Sequence, residues 1–256
     1  MVWIRKHGWK IVAGSIIVII LMRSFDMSTA AIMHRARRHQ QHAQYHKALA
    51  LYEKLRARNT KNADVYYQMG LCYDKIEKPR EAAEALTQAV TLRKTFFDAW
   101  LMLGYVQATE GWYTRALTAL NEARTLRHNS YAVNMDIANV YAQLGRYENA
   151  VHTYQKVIEL YPDKFLPYYH LGITEDLAGH PDESITAFKK AAELKPAFAD
   201  TYTYLATLYE GKGDTEEAVY YWKKRLDNAP RHDAGAIAVR NKYYELRDRL
   251  RPDEKI

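Results

Sequence analysis

Residues 131–164 read YAVNMDIANVYAQLGRYENAVHTYQKVIELYPDK, and their spacing decides the fold. Ile137, Ala138, Tyr141, Ala150, Tyr154, Val157 and Leu160 recur mostly at offsets of three, four or seven, which is the period of one helix face. The pattern breaks once, at Gly145. It predicts two helices, roughly 131–144 and 147–160, turning at Leu144-Gly145 and stopped by Pro162. Two short amphipathic helices cannot bury both apolar faces against each other, so they require neighbours.

Those neighbours are in the sequence. Shifting the window by 34 residues gives aligned copies without insertion at 29–62, 63–96, 97–130, 131–164, 165–198 and 199–232, here repeats one to six. Position eight of the repeat is Ala36, Gly70, Gly104, Ala138, Gly172 and Ala206. Position twenty is Ala48, Ala82, Ala116, Ala150, Ser184 and Ala218. Position twenty-four is bulky throughout: Tyr52, Leu86, Leu120, Tyr154, Phe188 and Trp222. Small residues at eight and twenty allow close helix approach, and burying the bulky residue stabilises by about 1.5–3 kcal/mol each. Gly111, Gly145, Gly179 and Gly213 fall where each first helix ends, a place suited to a left-handed turn. Proline closes three repeats, at Pro162, Pro196 and Pro230.

A two-helix unit of this length and alternation resembles the tetratricopeptide repeat family. The resemblance covers the six copies and implies an all-α, right-handed α-solenoid of helix-turn-helix repeats, in which contacts run mainly between adjacent units. Residues 233–250 carry Ile237, Val239, Tyr243, Tyr244, Leu246 and Leu250 at helical spacing and predict a C-terminal capping helix. RPDEKI, 251–256, is expected to be a loose tail. Within the repeats, Tyr66, Trp100, Tyr168 and Tyr202 at position four are expected to be core aromatics, with Asn134 the exception. Arg225 replaces the alanine of Ala89, Ala123 and Ala191 at position twenty-seven, which predicts looser stacking near that end.

The head, 1–28, differs from everything after it. A short basic start precedes Ile11–Met22, a run without charge. Twelve helical residues span only about 18 Å, short of a roughly 30 Å hydrocarbon core. Extension to Gly8–Met27 reaches twenty residues if Lys10 and Arg23 snorkel and Trp9 sits at the interface. The favoured expectation is a retained single-pass transmembrane anchor. A cleaved secretory signal ending near Ser28-Thr29-Ala30 competes with it, although Arg23 directly after the apolar run opposes cleavage. Basic residues on the two flanks nearly balance, and the compact basic start favours repeats on the extracytoplasmic side.

Composition fits a helical body, with 48% hydrophobic and 26% charged residues, and 21 tyrosines. The net charge of +7 is a local property. Residues 1–62 hold twelve Lys/Arg against Asp26 and Glu53, whereas the remainder is slightly acidic. The charge includes a basic juxtamembrane patch at Arg35, Arg37 and Arg38, suited either to anionic headgroups or simply to a solvated cap. Repeat one is also degenerate: Arg35, His39 and Ala43 stand where other repeats mostly carry large apolar residues, tyrosine and glycine. No nucleic-acid motif accompanies the basic bias. His42 and His46 have metal-ligand spacing only on a continuous helix, and the register breaks the helix at Ala43, so no metal and no cofactor are expected. Cys72, the sole cysteine, excludes an intrachain disulfide.

No Gly-rich phosphate loop, nucleophile elbow or cysteine–histidine signature is present, and head and tail are too short for a catalytic domain. The expectation is a non-enzymatic scaffold. The resemblance implies a concave groove lined by first-helix positions two, five, nine, twelve and thirteen. In this chain that gives Tyr67, Leu71, Leu101, Tyr105, Met135, Asn139, Tyr169, Ile173 and Leu177, edged by Asp64, Asp74, Lys75, Asp98, Asp176, Asp200 and Glu210. An aromatic floor with acidic edges suits a protein or peptide partner with apolar anchors and some basic character. The alternative is that several of these tyrosines pack between first helices. Residues such as Tyr67, Leu71, Met102, Ala132 and Asp136 stand where chaperone-binding members carry their carboxylate clamp, so that subtype is not expected. Other readings are a signal-cleaved, secreted interaction module and the regulatory subunit of a separate enzyme.

Overall fold

The computed structural model describes residues 29–58, 61–228 and 235–250. The expected anchor or signal in 1–28, Pro230 and the tail from Arg251 lie outside the described residues. Thirteen helices and no strands occur among the described residues. They form two compact units, up to Glu110 and from Gly111 onward. The first contains α1 (Thr29–Gln41), α2 (Tyr45–Ala57), α3 (Ala63–Lys75), α4 (Pro79–Leu92) and α5 (Phe97–Thr109). The second contains α6 (Tyr113–Leu126), α7 (Tyr131–Gln143), α8 (Tyr147–Leu160), α9 (Phe165–Leu177), α10 (Pro181–Leu194), α11 (Ala199–Gly211), α12 (Thr215–Asp227) and α13 (Ala236–Leu250). Within each unit, helices pack against their sequence neighbours, and the first helices α7 and α9 also touch directly. No described helix is long and apolar enough to cross a membrane.

First helices end alike. Gly111, Gly145, Gly179 and Gly213 have φ of 70–83°, and Ala43 and Glu77 adopt φ of 55° and 57° at the equivalent turns. The residue after the turn reaches back to a carbonyl in the last helical turn, as Arg146 N–H does to Tyr141 O at 2.9 Å and His180 N–H to Glu175 O at 2.9 Å. The expected helix break at Ala43 is therefore present, and it separates His42 from His46. The turn fixes the angle between paired helices, and the small positions then decide how closely they approach.

Positions eight and twenty-four form a matched pair within the repeat. A Cβ on Gly70 would lie 2.6 Å from Leu86 Cγ, and one on Gly172 would lie 2.9 Å from three Phe188 ring atoms. Where position eight is alanine, the large partner carries a polar tip that bonds back to the first helix. Tyr52 donates to Gln40 (3.1 Å), Tyr154 to Asn139 (2.6 Å) and Trp222 to Glu210 (2.6 Å). Every alanine at position twenty is fully buried, and Ser184 Oγ satisfies itself on Gly172 O at 2.8 Å.

The capping helix α13 buries Leu246 against Ala206, Ala218 and Trp222, with Val239 and Tyr243 beside it. Arg225 does not loosen this end. Its side chain is buried and Nε donates to Thr203 Oγ1 at 3.0 Å, so a polar contact across α11 and α12 replaces the alanine packing. The position-four aromatics also differ from expectation. Only Tyr202 is buried; Tyr66, Trp100 and Tyr168 are half-buried, and the Trp100 indole donates to Lys94 O at 2.8 Å. Asn134, the exception, is buried instead.

Candidate partner-binding surface

In the first unit, the expected surface residues lie on α3 and α5. Tyr67 rests against Phe96 with centroids 4.9 Å apart, and the Arg93 guanidinium lies 4.3 Å over the other ring system's Phe96 centroid. Arg93 also pairs with Asp64 at 2.5 Å, so this acidic edge residue is engaged within the fold. Burial raises the Tyr67 phenol above its ordinary range, with Asp98 adding to the effect, and the ring remains neutral. Leu71 and Leu101 are half-buried. Tyr105 is 46% exposed, a large apolar surface on a first helix, and Asp98 is exposed on the same helix. Asp74 pairs with its neighbour Lys75 at 3.2 Å.

In the second unit, the expected residues divide. Met135 is buried among Ala138, Ala150, Tyr154 and Val157, so it supplies core rather than surface. Its unbranched thioether bends inward to fill the gap beside Ala138. Asn139 is half-buried and accepts from the Tyr154 hydroxyl. Tyr169 sits among Phe188, Phe198 and Tyr204 at 5.7, 5.1 and 5.8 Å, mostly edge-to-face, the favoured aromatic geometry. Ile173 packs against the same cluster. Here the alternative reading holds: these side chains join consecutive repeats.

The exposed apolar surface moves to the ends of α9. Leu166 is 38% and Leu177 57% exposed. Eleven residues separate them, which at 100° per residue returns them to within about 20° of one stripe. Leu166 escaped the sequence reading, though the signal was legible: position two carries aspartate in repeats two, three and six. Beside the end of this stripe, a cavity of about 420 Å³ is lined by Asp176, Thr203, Tyr204, Thr207 and Lys212. Asp176 and Asp200 face solvent. Glu210 instead binds Trp222 Nε1 and Lys242 (2.8 Å), which makes it structural.

Two half-buried titratable groups lie near Tyr154. Burial raises the Asp136 carboxyl to about 6 and lowers the His170 imidazole, whose ring stacks on Tyr154 at 6.1 Å. Both shifts come from desolvation, the mark of polar groups enclosed by stacking. Cys72 is likewise buried, and its thiol is pushed up to about 11, which leaves it unreactive near neutrality. In the first unit, Arg35, Arg37 and Arg38 are exposed on α1, opposite buried Ile32 and Ala36. Among the described residues, no group of three metal-ligating side chains is placed to hold an ion.

Sequence profiles for the tetratricopeptide repeat match residues 67–131, 138–174, 167–198 and 187–220. No curated protein matches the chain. Among solved structures, the MamA protein is similar at 25% identity and a TM-score of 0.61, covering 65% of this chain and 91% of that one. PilW, described as a widely conserved type IV pilus biogenesis factor, has a TM-score of 0.67 at 17% identity, covering 84% and 99%. YrrB, described as having an unusual peptide-binding site, has a TM-score of 0.59 at 19% identity, covering 74% and 97%. The last two likenesses are of fold. With its helix pairs in register, its small residues set against bulky ones and these profile matches, the chain belongs to the tetratricopeptide repeat family.

Proposed function

We propose that this chain is a non-enzymatic scaffold that binds a protein or peptide partner on its first-helix surface. In this proposal it is tethered by a membrane helix within 1–28, with its repeats on the extracytoplasmic side, and serves assembly, biogenesis or secretion of an envelope complex. The observation that carries the binding reading is the exposed apolar pair Leu166 and Leu177 on one stripe of α9, next to the solvent-facing carboxylates Asp176 and Asp200. Apolar anchors beside carboxylates favour a segment that carries both apolar and basic residues. Family membership supports an interaction role, and the uncharged run Ile11–Met22 supports the tether.

The test is affinity capture with the full-length chain from detergent-solubilised membranes. A partner retained by the wild type should be lost from Leu166→Ser/Leu177→Ser while helicity by circular dichroism is unchanged. Equal capture by both would reject the first-helix surface. Release of the chain by alkaline carbonate, or a mature protein beginning near Ala31, would reject the tether.

A further inference from the structure

The second unit contains a pocket of about 390 Å³ lined by residues of α6, the α6–α7 loop, α7 and α8. Its polar lining includes Arg124, His128, Asn134 and Lys156, and no carboxylate lines it. Three of these residues depart from the repeat at once. Asn134 stands at position four, where four of the other five repeats carry Tyr or Trp. Arg124 stands at position twenty-eight, where Val90, Ile158, Ala192 and Leu226 are aliphatic or small and only repeat one also carries arginine, Arg56. His128 stands at position thirty-two, where three repeats carry proline. Replacing an aromatic ring by an asparagine opens the space, and the other two exchanges place cationic side chains around it.

The neighbouring groove shows the contrast. Between α8 and α10, Tyr168 and Ile158 keep the repeat's usual chemistry, and Glu159, Glu183 and Glu193 line the groove together with Lys189 and Lys190. The α6–α8 pocket therefore has a cationic lining without a carboxylate, whereas this neighbouring groove mixes both signs.

The pocket is also braced. Asn134 is 9% exposed, and its amide nitrogen donates to His128 O at 2.9 Å and Ser130 O at 3.1 Å. Tyr161 donates to Asn129 O at 2.5 Å. Arg124 donates to Asn121 Oδ1 at 2.7 Å, which uses one edge of the guanidinium and holds its plane. The loop carrying His128 is therefore fixed before any ligand arrives, which lowers the ordering cost of binding. Leu160, 46% exposed, supplies an apolar wall.

We infer that this pocket binds a phosphate monoester, with Arg124 and Lys156 as charge partners, the His128 ring on its rim, and Leu160 against the ester's organic body. Guanidinium and ammonium donors suit phosphate oxygens, and Arg offers paired N–H groups to two of them. Asn134 is a positioning residue, since its amide hydrogens are spent on the loop.

The test is isothermal titration calorimetry on the full-length chain with inorganic phosphate, O-phospho-L-serine and sulfate. We expect saturable binding of O-phospho-L-serine, tighter than inorganic phosphate, and about tenfold weaker binding in Arg124→Gln and in Lys156→Gln. Asn134→Tyr restores the repeat's aromatic and should abolish binding with circular dichroism unchanged. Sulfate should bind more weakly than O-phospho-L-serine, since it offers no organic body to Leu160. The inference is overturned if no soluble probe saturates at millimolar concentration, or if all variants bind as the wild type does. It is also overturned if only vesicles containing phosphatidic acid bind through Arg124 and Lys156, which would make the ligand a membrane surface.

Discussion

Gly172→Ala sets two known effects against each other. In an exposed helix interior, glycine to alanine stabilises by up to about 1 kcal/mol through backbone entropy. At Gly172 the new Cβ would lie 2.9 Å from three atoms of a Phe188 ring that is fully buried. That ring cannot retreat easily, because it stacks on Tyr204 at 4.8 Å and meets Tyr169 edge-on at 5.7 Å. Overpacking of this kind costs about 1–3 kcal/mol. The net expectation is a loss of about 1–2 kcal/mol. Gly211→Ala is the internal control: that glycine is also helical, but its Cβ would meet nothing within 4 Å, so the entropy gain should appear alone. Chemical denaturation followed by circular dichroism should therefore move the two midpoints in opposite directions. A third variant, Gly172→Ala/Phe188→Tyr, recreates the alanine–tyrosine pair of repeats one and four and offers a hydroxyl toward Asp176. It should recover part of the loss, a favourable coupling in a double-mutant cycle. If Gly172→Ala proves as stable as Gly211→Ala, the matched pairing of positions eight and twenty-four is wrong.

Three further outcomes follow from the same contacts. Glu77→Gly and Ala43→Gly relieve left-handed backbone at φ of 57° and 55°, and each should raise the denaturation midpoint, by about 0.5–1 kcal/mol; a lowered midpoint would refute the turn. Tyr105→Ala removes a ring that is 46% exposed and should cost under about 1 kcal/mol, whereas Tyr169→Ala dismantles an aromatic cluster and should cost about 2–4 kcal/mol. Similar midpoints for the two would overturn the division between surface and core. Asp136 has a folded pKa raised from 3.8 to about 6, so its contribution is most favourable below about 4 and is lost as pH rises through 6, by up to roughly 3 kcal/mol. Asp136→Asn should stabilise near neutral pH, with the gain shrinking toward pH 4. His170, lowered by burial, destabilises in the opposite sense as pH falls and is present in both proteins; a pH-independent difference would refute the assignment to Asp136.

Columns down the repeats made the fold legible. Small residues at eight and twenty, bulk at twenty-four and glycine in the turn each report one local requirement, and six aligned copies separate requirement from accident. The covariation also lay in the sequence: glycine at eight goes with Leu86, Leu120 and Phe188, and alanine with Tyr52, Tyr154 and Trp222. Side-chain direction was less legible. Trp100 and Tyr168 share position four with buried Tyr202, yet remain half-buried. Met135 and Tyr105 occupy neighbouring groove positions, yet one turns into the core and the other out, because a flexible thioether follows whatever gap its neighbours leave. The acidic edge was overcounted for a different reason. Arg93–Asp64 and Lys242–Glu210 join residues about one repeat apart in sequence, and no short motif announces such pairs.

On the proposed binding role, the redistribution within α9 bears on what kind of segment the surface would take. Positions five and nine, Tyr169 and Ile173, are committed to joining repeats five and six, so a partner cannot use them without contending with the core. Positions two and thirteen, Leu166 and Leu177, carry no such commitment and are the exposed anchors. Eleven residues at 1.5 Å rise place them about 16 Å apart along the helix. An extended segment covers that distance in roughly five residues, and a bound helix in about three turns. An extended ligand would therefore need apolar side chains about five apart, an odd spacing that sends them to opposite faces of a regular strand. A helical ligand with apolar residues eleven apart presents both on one stripe, as α9 does. The geometry thus favours a helical segment laid along α9, with a lysine or arginine near one end to meet Asp176, and peptides of matched composition but scrambled spacing should bind measurably more weakly.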